Sequence, residues 1–295
     1  MSTLLCLGLG YSAQHYVAAF GARFSRIVGT SRTAEGAAAL AARDLGGRRA
    51  ELLVFDGATA APAVAAALAD ADALLVSAAP DVGGDPVLAA FGGALMAAPR
   101  LASIVLLSTV GVYGDHGGAW VDEATPPDPS RESTRQRIAA EDAWRALGQE
   151  RGSAVAVLRL AGIYGAGRNP LVNLRRGQAR NVVKPGQVFN RIHVADIAQA
   201  IEAAVAQKAA GVFNVTDDEP TPPGDPIVFA ANLLDVPPPP AIPFAEAVQT
   251  MSPLAASFYA ENRRVRNDRM KRVLGVRLRY PSYREGLRAL HAAGE

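Results

Sequence analysis

The sequence predicts an α/β fold: a Rossmann-type, doubly wound parallel sheet with a smaller, mostly helical C-terminal lobe over its ligand-binding edge. Three observations support this prediction. Short apolar runs alternate with alanine-rich helical segments through the first half of the chain. These runs lack the polar alternation of a half-exposed strand, so they fit strands that are buried on both faces. The first run, residues 3–7, passes through glycines directly into a helical pattern, as the first strand–turn–helix unit of such a sheet does.

The predicted elements follow in order along the chain. Strands are predicted at residues 3–7, in the run that ends at 30–32, and at 50–55, 73–77, 103–107, 153–158 and 211–215. Helices are predicted at residues 33–45, 63–68, 86–98, 131–147 and within 192–206. Beyond the proline run at 237–240, which excludes a core strand, the pattern indicates helices broken by prolines.

The same pattern predicts two structural units. A larger domain is expected at 1–165, to which 191–216 returns. A smaller lobe is expected at 166–190 and 217–295, where turn-forming residues and prolines loosen the alternation of strands and helices. Ligands of such folds bind at the carboxyl edge of the sheet, which this lobe would cover.

The composition indicates a globular, cytoplasmic protein. The chain has 295 residues, 49% of them hydrophobic, and 30 lysines and arginines against 28 acids. A net charge of +2 gives no reason to expect nucleic acid or an anionic membrane as a partner. The first strand begins near residue 3, which leaves no room for a signal peptide. Cys6 is the single cysteine, so an internal disulfide and a thiolate-rich metal site are excluded, and Cys6 itself is expected to be a buried hydrophobe.

The first turn has the spacing of a dinucleotide-binding loop. Its residues are Gly8-Leu9-Gly10-Tyr11-Ser12-Ala13. Gly8 would permit the sharp turn, Gly10 would let the backbone approach a phosphate, and Ala13 would keep the helix close to the strand. The helix N-terminus offers unpaired N–H groups to a pyrophosphate. The alternative interpretation is a tight turn with close packing.

The end of the second strand bears on the choice of cofactor. An acidic residue there would bind a ribose 2′-hydroxyl, but Ser31 and Arg32 occupy the position. A serine and an arginine suit a 2′-phosphate, so NADP is favoured over NAD. The alternative for Arg32 is an ordinary solvated arginine after a strand.

Two later strand ends are further candidates for the cofactor site. Asp56 could accept a hydrogen bond from the adenine amino group, although it could equally cap the following helix. Small side chains at Ser77, Ala78 and Ala79 would let the backbone approach the ribose or the nicotinamide, and a plain loop is the alternative.

Several segments resemble the extended short-chain dehydrogenase/reductase superfamily, in its branch of NAD(P)-dependent epimerases and dehydratases. The resemblance spans nearly the whole chain and rests on the segments 107–114, 122–127, 159–165, 191–197 and 213–215. The first loop departs from the family's G-x-x-G-x-x-G, with Leu7 at the first glycine and Ala13 at the last. Such departures from the glycine motif are found in the atypical members of this superfamily.

The resemblance implies a catalytic Ser or Thr four residues before Tyr113, which is Thr109. The family's Tyr-x-x-x-Lys pair falls on Ser133 and Arg137. An aliphatic hydroxyl is a far weaker acid than a phenol, and an arginine cannot relay a proton as lysine can. Tyr113, Tyr164 and His193 are therefore considered as substitute proton donors or bases, although each is more often a packed residue in such segments.

The resemblance also implies which segments face the substrate. They contain Arg168, Arg175, Arg176, Arg180, Arg191 and His193. Guanidinium groups suit phosphate, and the alternative is an exposed basic face. Asp196 is expected to be a helix N-cap. The basic run at 263–272 is interpreted as a solvated helix face rather than a nucleic-acid surface.

Three functions are consistent with these residues. The first is an NADP-dependent epimerase, dehydratase or reductase acting on a nucleotide-linked or phosphorylated substrate, as a monomer or homodimer. The second is a non-catalytic NADP-binding or redox-sensing module, which the missing Tyr/Lys pair would allow. The third, a nucleic-acid partner that uses residues 263–272, is disfavoured by the near-neutral charge.

Overall fold

The structure is a computed structural model that describes residues 2–129 and 131–295. In these residues the strands are β1 Thr3–Leu7, β2 Arg26–Ser31, β3 Glu51–Val54, β4 Ala73–Val76, β5 Ser103–Thr109, β6 Trp120–Val121, β7 Ala154–Leu160, β8 Gly162–Tyr164, β9 Asn181–Val183, β10 Arg191–His193, β11 Gly211–Val215, β12 Ala241–Pro243 and β13 Arg264–Val265. The α-helices are α1 Tyr11–Phe20, α2 Ala34–Ala41, α3 Pro62–Asp70, α4 Pro86–Ala97, α5 Glu132–Arg151, α6 Pro170–Arg175, α7 Val194–Gln207, α8 Asp225–Leu233, α9 Phe244–Ala247, α10 Pro253–Ser257, α11 Asp268–Val273 and α12 Tyr283–Ala292.

Seven strands form one parallel sheet, in the order β11-β7-β5-β4-β1-β2-β3. Every neighbouring pair is parallel, and Leu4 of β1 pairs with Ile27 on one side and Ala73 on the other. Each residue of β1 and of β4 is buried, as expected for central strands covered on both faces. The predicted α/β fold with a doubly wound parallel sheet is confirmed.

Helices cover both faces of this sheet. On one face α1 and α7 pack against it, with Tyr16 and Ile201 fully buried. On the other face lie α3, α4 and α5, which contribute Leu68, Phe91 and Trp144 to a second apolar core. The reversal of strand order falls at β1, so the carboxyl ends of β1 and β4 border the crevice where ligands of such sheets bind.

Some predicted boundaries differ from the structure. The helix predicted at 33–45 ends at Ala41, and the chain then turns through Gly46 and Gly47, which take positive φ values. Asp196 is not the N-cap of α7: His193 is, and its side chain accepts a hydrogen bond from the Ala195 N–H. Asp196 instead accepts from the backbone N–H groups of residues 279 and 280, where it fixes the chain before α12.

The residues outside the sheet form smaller clusters. Helices α6, α8 and α12 pack around Leu171, Ala230 and Leu287, and β9 pairs with β12. Residues 264–278, which the sequence assigned to the smaller lobe, join the main core through Met270 and Leu274. Across the described part of the chain, none of the helices combines the length and the apolar character needed to cross a membrane.

Candidate active site

A cavity of about 710 Å³ lies at the carboxyl edge of the sheet. Its wall joins the glycine loop and the first turn of α1 to the ends of β4, β5 and β7, the start of α5, and the elements of the smaller lobe. The polar and charged residues on this wall are Tyr11, Ser12, Ser77, Ser108, Thr109, Arg131, Arg137, Tyr164, Arg168, Asn190, Arg191, Glu261, Arg263 and Tyr283.

The two glycines of the first loop differ in whether the backbone conformation and the packing require a glycine at their position. Gly8 has φ +95°, and a Cβ there would lie 2.6 Å from the Ser77 hydroxyl. Gly10 has an ordinary φ of −80°, and no protein atom lies within 4 Å of the position that its Cβ would take. Gly8 is therefore required by the turn and by packing, whereas Gly10, which borders the cavity, is required by neither. A glycine at position 10 fits close approach of a ligand to the backbone.

The glycine loop is fixed by neighbouring strand ends. The Gly8 N–H donates to the Thr30 hydroxyl at 2.8 Å, and the Ser77 hydroxyl donates to the Gly8 carbonyl at 2.6 Å. The N–H groups of Ser77 and Ala78 both lie close to the carbonyl of Leu7. Ser77 thus acts first as a support for the loop, and it also borders the cavity. Ala79, the next small residue, is exposed.

Ser31 and Arg32 lie at the end of β2, outside the cavity wall, with Arg32 exposed. The first turn of α2 faces Ser31, and a Cβ on Gly36 would lie only 2.5 Å from the Ser31 hydroxyl. Thr33 caps this helix by accepting from the Gly36 N–H. Gly36, which no sequence motif singles out, keeps the space beside Ser31 free of a side chain.

Asp56 follows β3 and is exposed. Its carboxylate accepts hydrogen bonds from the N–H groups of Ala58 and Thr59, which lower its pKa. It does not cap α3, whose N-cap is Ala61. The contact of Asp56 with adenine stays a prediction.

Thr109 and Arg137 are brought to the same wall of the cavity. The Thr109 hydroxyl oxygen accepts the Gly111 N–H at 3.0 Å, so its own hydrogen can be donated to a ligand. Arg137 donates to the Leu107 carbonyl at 3.2 Å, and burial lowers the pKa of its guanidinium. Ser133 is exposed and does not border the cavity, because α5 buries the next residue, Thr134. Of these two positions, only Arg137 is therefore brought to the cavity.

The structure does not present the other predicted proton donors to a ligand. The Tyr113 side chain is fully buried, and its hydroxyl donates to the Asn214 side chain at 2.8 Å. Tyr164 borders the cavity, but its hydroxyl donates to the Ser282 carbonyl at 3.2 Å. His193 caps α7 behind the cavity wall, and burial lowers its pKa to about 4. Burial also raises the pKa of Tyr164.

Two of the predicted substrate arginines reach the cavity. Arg191 is held by the Phe189 carbonyl at 3.0 Å and the Thr221 hydroxyl at 2.6 Å. Arg168 lies near the first turn of α1. The remaining three, Arg175, Arg176 and Arg180, are exposed and lie outside the cavity wall. Arg175 donates to the Gly294 carbonyl, and Arg180 to the Thr250 hydroxyl.

Three cavity residues were missed by sequence reasoning. Arg131 and Arg263 both approach the buried carboxylate of Glu261, at 3.3 and 2.7 Å. Arg131 also donates to the Ser257 hydroxyl, which ties the start of α5 to α10. Arg131 is distant in sequence from Glu261 and Arg263, and the three share no local motif, so only the tertiary structure brings Arg131 to the other two.

The basic run at 263–272 is not the solvated helix face that the sequence predicted. Its first part is the strand β13, which pairs with β6, and only 268–273 is helical. The Arg263 guanidinium donates to the Gly114 carbonyl, and that of Arg264 to the Gly118 carbonyl. Arg269 lies over the ring of Phe213, 5.2 Å from its centroid. Arg263, Arg264 and Arg269 therefore make contacts within the protein.

Charge balance around the cavity is uneven. In the part of the chain that the structure describes, Arg137, Arg168 and Arg191 form no ion pair within 4.0 Å. Glu261 is the acidic residue of the described wall, and it is engaged by two other arginines. A wall with this charge distribution favours an anionic ligand.

Comparison with known proteins identifies relatives over all or part of the chain. A solved structure of a functionally unknown conserved protein from Silicibacter pomeroyi DSS has a TM-score of 0.89 and 48% identity, and it covers 100% of both chains. The 3-diazoavenalumate denitrifying reductase of a Streptomyces species is 32% identical over 178 residues. That match covers 57% of this chain and 58% of the reductase, which is less than two thirds of its length.

A more distant structure shares the fold. MoeE5 in complex with UDP-glucose and NAD has a TM-score of 0.73 and 20% identity, and it covers 98% of this chain and 96% of that one. The model of the NAD dependent epimerase/dehydratase family matches residues 8–216, from the glycine loop to β11 and over more than half of the chain. The resemblance identified in the sequence is confirmed, and the chain belongs to the NAD dependent epimerase/dehydratase family.

Proposed function

We propose that this chain is an NADP-dependent oxidoreductase that acts on a small molecule with a phosphate or another anionic group, such as a nucleotide sugar. One observation carries the proposal. A single cavity joins the glycine loop to arginines that have no carboxylate within ion-pair distance in the described residues. A dinucleotide and an anionic substrate would therefore lie end to end between the sheet and the smaller lobe.

The cofactor end fits a dinucleotide on this chain's own geometry. Gly10 borders the cavity although neither its φ nor its packing requires a glycine. Ser31, Arg32 and Gly36 offer a hydroxyl, a cation and free space for a 2′-phosphate. Ser77 and Ala78 would lie beside the ribose and nicotinamide. The bound cofactor would supply the hydride, and the rest of the chemistry depends on the protein.

The reacting centre is proposed at Thr109 and Arg137. Thr109 would donate a hydrogen bond to the substrate oxygen or nitrogen on which negative charge develops. Arg137, on the same wall of the cavity, would stabilise that charge, since its guanidinium stays protonated and cannot relay a proton. With Tyr113 and Tyr164 engaged elsewhere, the proton would come from water.

This arrangement favours reduction over epimerisation or dehydration. Those two reactions need a side chain that removes a proton and returns it, and the Tyr-x-x-x-Lys pair that does so in the family is absent. Reduction of an activated substrate needs a hydride and a stabilised product charge. The similarity to a denitrifying reductase supports the same choice.

The substrate end would be held by Arg191. Its guanidinium is fixed by neutral acceptors and lies 6.0 Å from the Tyr283 ring centroid. A phosphate or carboxylate could take the remaining donors, with the aromatic rings of Phe189 and Tyr283 against the adjoining part of the substrate.

The test has two stages. NADPH and NADH are first titrated by fluorescence, with binding of NADPH expected to be the tighter. NADPH oxidation is then followed with nucleotide sugars, phosphorylated carbonyl compounds and aromatic carboxylates that carry a reducible group. Activity on anionic substrates that is lost in Arg191→Ala would support the proposal. Absence of binding by either dinucleotide would contradict it.

A further inference from the structure

A tight turn at residues 165–168 lies on the first residue of the glycine-loop helix. The backbones of Gly165 and Arg168 exchange two hydrogen bonds of 3.0 Å. The Tyr11 hydroxyl donates to the Ala166 carbonyl at 3.0 Å. A Cβ on Gly165 would come within 2.7 Å of that hydroxyl, so the turn and Tyr11 are in direct contact.

The opposite side of the turn is also held. The Glu295 carboxylate accepts the Gly167 N–H at 2.7 Å and a hydrogen bond from the Asn169 side chain. Asn169 in turn caps α6 through the N–H groups of Leu171 and Val172. The turn is therefore fixed between α1 and the smaller lobe, and the position of the Arg168 backbone is fixed with it.

The Arg168 side chain extends over Tyr11. Its guanidinium carbon lies 5.9 Å from the centroid of the Tyr11 ring, and both residues border the cavity beside Gly10 and Ser12. Glu295 is bound to the same turn, but no ion pair within 4.0 Å joins it to Arg168. Arg168 is exposed, so its guanidinium is accessible from the cavity that it borders.

The glycine loop has no cation of its own. Gly10, Tyr11, Ser12 and Ser77, which border this end of the cavity, are all neutral. The helix N-terminus offers N–H groups and a partial positive charge, whereas a dinucleotide pyrophosphate carries two full negative charges. A guanidinium above the same helix terminus would supply the missing countercharge with a forked pair of donors.

We propose that Arg168 binds the pyrophosphate of the dinucleotide and is not a substrate ligand, with Tyr11 as its positioning residue. This inference rests on the proposed cofactor site. The Tyr11 ring supports the guanidinium, and its hydroxyl holds the turn that carries Arg168. The pyrophosphate is common to NADPH and NADH, so the contribution of Arg168 must be the same for both.

The experiment measures dissociation constants of NADPH, NADH and ADP-ribose for the full chain and for Arg168→Ala. We expect all three to weaken by the same factor, about tenfold for a charged hydrogen-bonded contact. Arg168→Lys should recover part of the loss. The dependence of binding on salt should be weaker in Arg168→Ala than in the unmodified protein. Arg145→Ala, which removes an exposed guanidinium paired with Asp142, is the matched control and should change none of the three constants.

Each outcome is decisive. Unchanged binding of NADPH and NADH in Arg168→Ala would overturn the assignment while leaving the cofactor site intact. Weaker binding of NADPH alone would place Arg168 at the 2′-phosphate and would overturn it as well. If the unmodified protein binds no dinucleotide, the proposed cofactor site and this inference both fail. Thermal unfolding of Arg168→Ala without ligand verifies that an equal loss is not a loss of fold.

Discussion

The Ser108 hydroxyl donates a hydrogen bond of 2.5 Å to the buried carboxylate of Glu141. Glu141 also accepts from Arg159, whose Nη2 lies 2.7 Å away and whose guanidinium lies 4.9 Å from the ring centroid of Tyr113. These contacts connect α5, β5 and β7 beneath the cavity. Because the Ser108 proton is engaged by Glu141, Ser108 offers only an acceptor to a ligand.

Removing this carboxylate should destabilise the protein strongly. Glu141 and Arg159 have side chains that are 1% and 6% exposed, and an unpaired buried charge costs about 3–5 kcal/mol. We expect Glu141→Ala to lower the free energy of unfolding by that amount, measured by denaturant titration. Asp142→Ala, which breaks an exposed ion pair with Arg145, should cost less than about 1 kcal/mol. Equal losses in the two variants would contradict the role of the buried pair.

The two glycines of the first loop should respond differently to substitution. Gly10→Val should abolish dinucleotide binding and leave the melting temperature nearly unchanged, because no protein atom lies within 4 Å of the position that its Cβ would take. Gly8→Val should destabilise the fold itself, since φ is +95° and Ser77 is in the way. Calorimetric titration with NADPH and thermal unfolding measure both effects. Intact NADPH affinity in folded Gly10→Val would show that the loop is only a turn.

Arg32 should set the preference between the two cofactors. A charged contact with the 2′-phosphate of about 1.5–3 kcal/mol gives a preference for NADPH of roughly ten- to a hundredfold. Arg32→Asp should reverse this preference, because a carboxylate repels the phosphate and accepts from a 2′-hydroxyl. The ratio of dissociation constants for NADPH and NADH provides the measurement. A ratio near one in the unmodified protein would rule out this role for Arg32.

Thr109 should be needed for turnover more than for binding. Loss of its hydroxyl removes a donor to the developing charge, which should lower kcat by about ten- to a hundredfold with little change in NADPH affinity. Thr109→Ser keeps the hydroxyl and should retain most of the activity, whereas Thr109→Ala should not. The two variants are compared with the unmodified protein by steady-state NADPH oxidation, with a substrate that the unmodified protein reduces. Full activity in Thr109→Ala would place the reacting centre elsewhere.

His193 should make the protein sensitive to mild acid. Burial lowers its pKa from 6.5 to about 4, so its contribution to stability is present above pH 6.5 and is lost as the pH falls toward 4. In His193→Asn, asparagine can still cap α7 but does not titrate. Its free energy of unfolding should therefore fall less between pH 7 and 4.5 than that of the unmodified protein. Identical pH profiles would mean that His193 does not titrate in this range.

The central sheet could be predicted from the sequence, whereas much of the cavity could not. Strands such as β1 and β4 are continuous apolar runs, which fix their burial on both faces. The two-residue strands β6 and β13 pair across nearly half of the chain, and nothing local distinguishes them from loop. The same holds for the contacts of Arg131 with Glu261 and of Arg263 with Gly114, which arise only when distant segments meet.

The helix that carries Ser133 and Arg137 shows why family spacing alone was insufficient. The four-residue spacing places two side chains on adjacent turns, yet Arg137 borders the cavity and Ser133 is exposed. Thr134 is the buried residue of the first turn, and its hydroxyl donates to the Arg131 carbonyl at 2.7 Å. The orientation of the helix about its axis is set by tertiary packing, which the sequence pattern does not specify.

The strand order has a consequence for synthesis on the ribosome. After β1, each new strand of the sheet pairs with a strand that precedes it in the chain: β2 with β1, β3 with β2, β4 with β1, β5 with β4, β7 with β5, and β11 with β7. No strand has to insert between two that are already joined. The sheet can therefore grow outward from its N-terminal strand during translation, with each emerging segment docking on an available edge, and long-range parallel pairing does not have to wait for the complete chain.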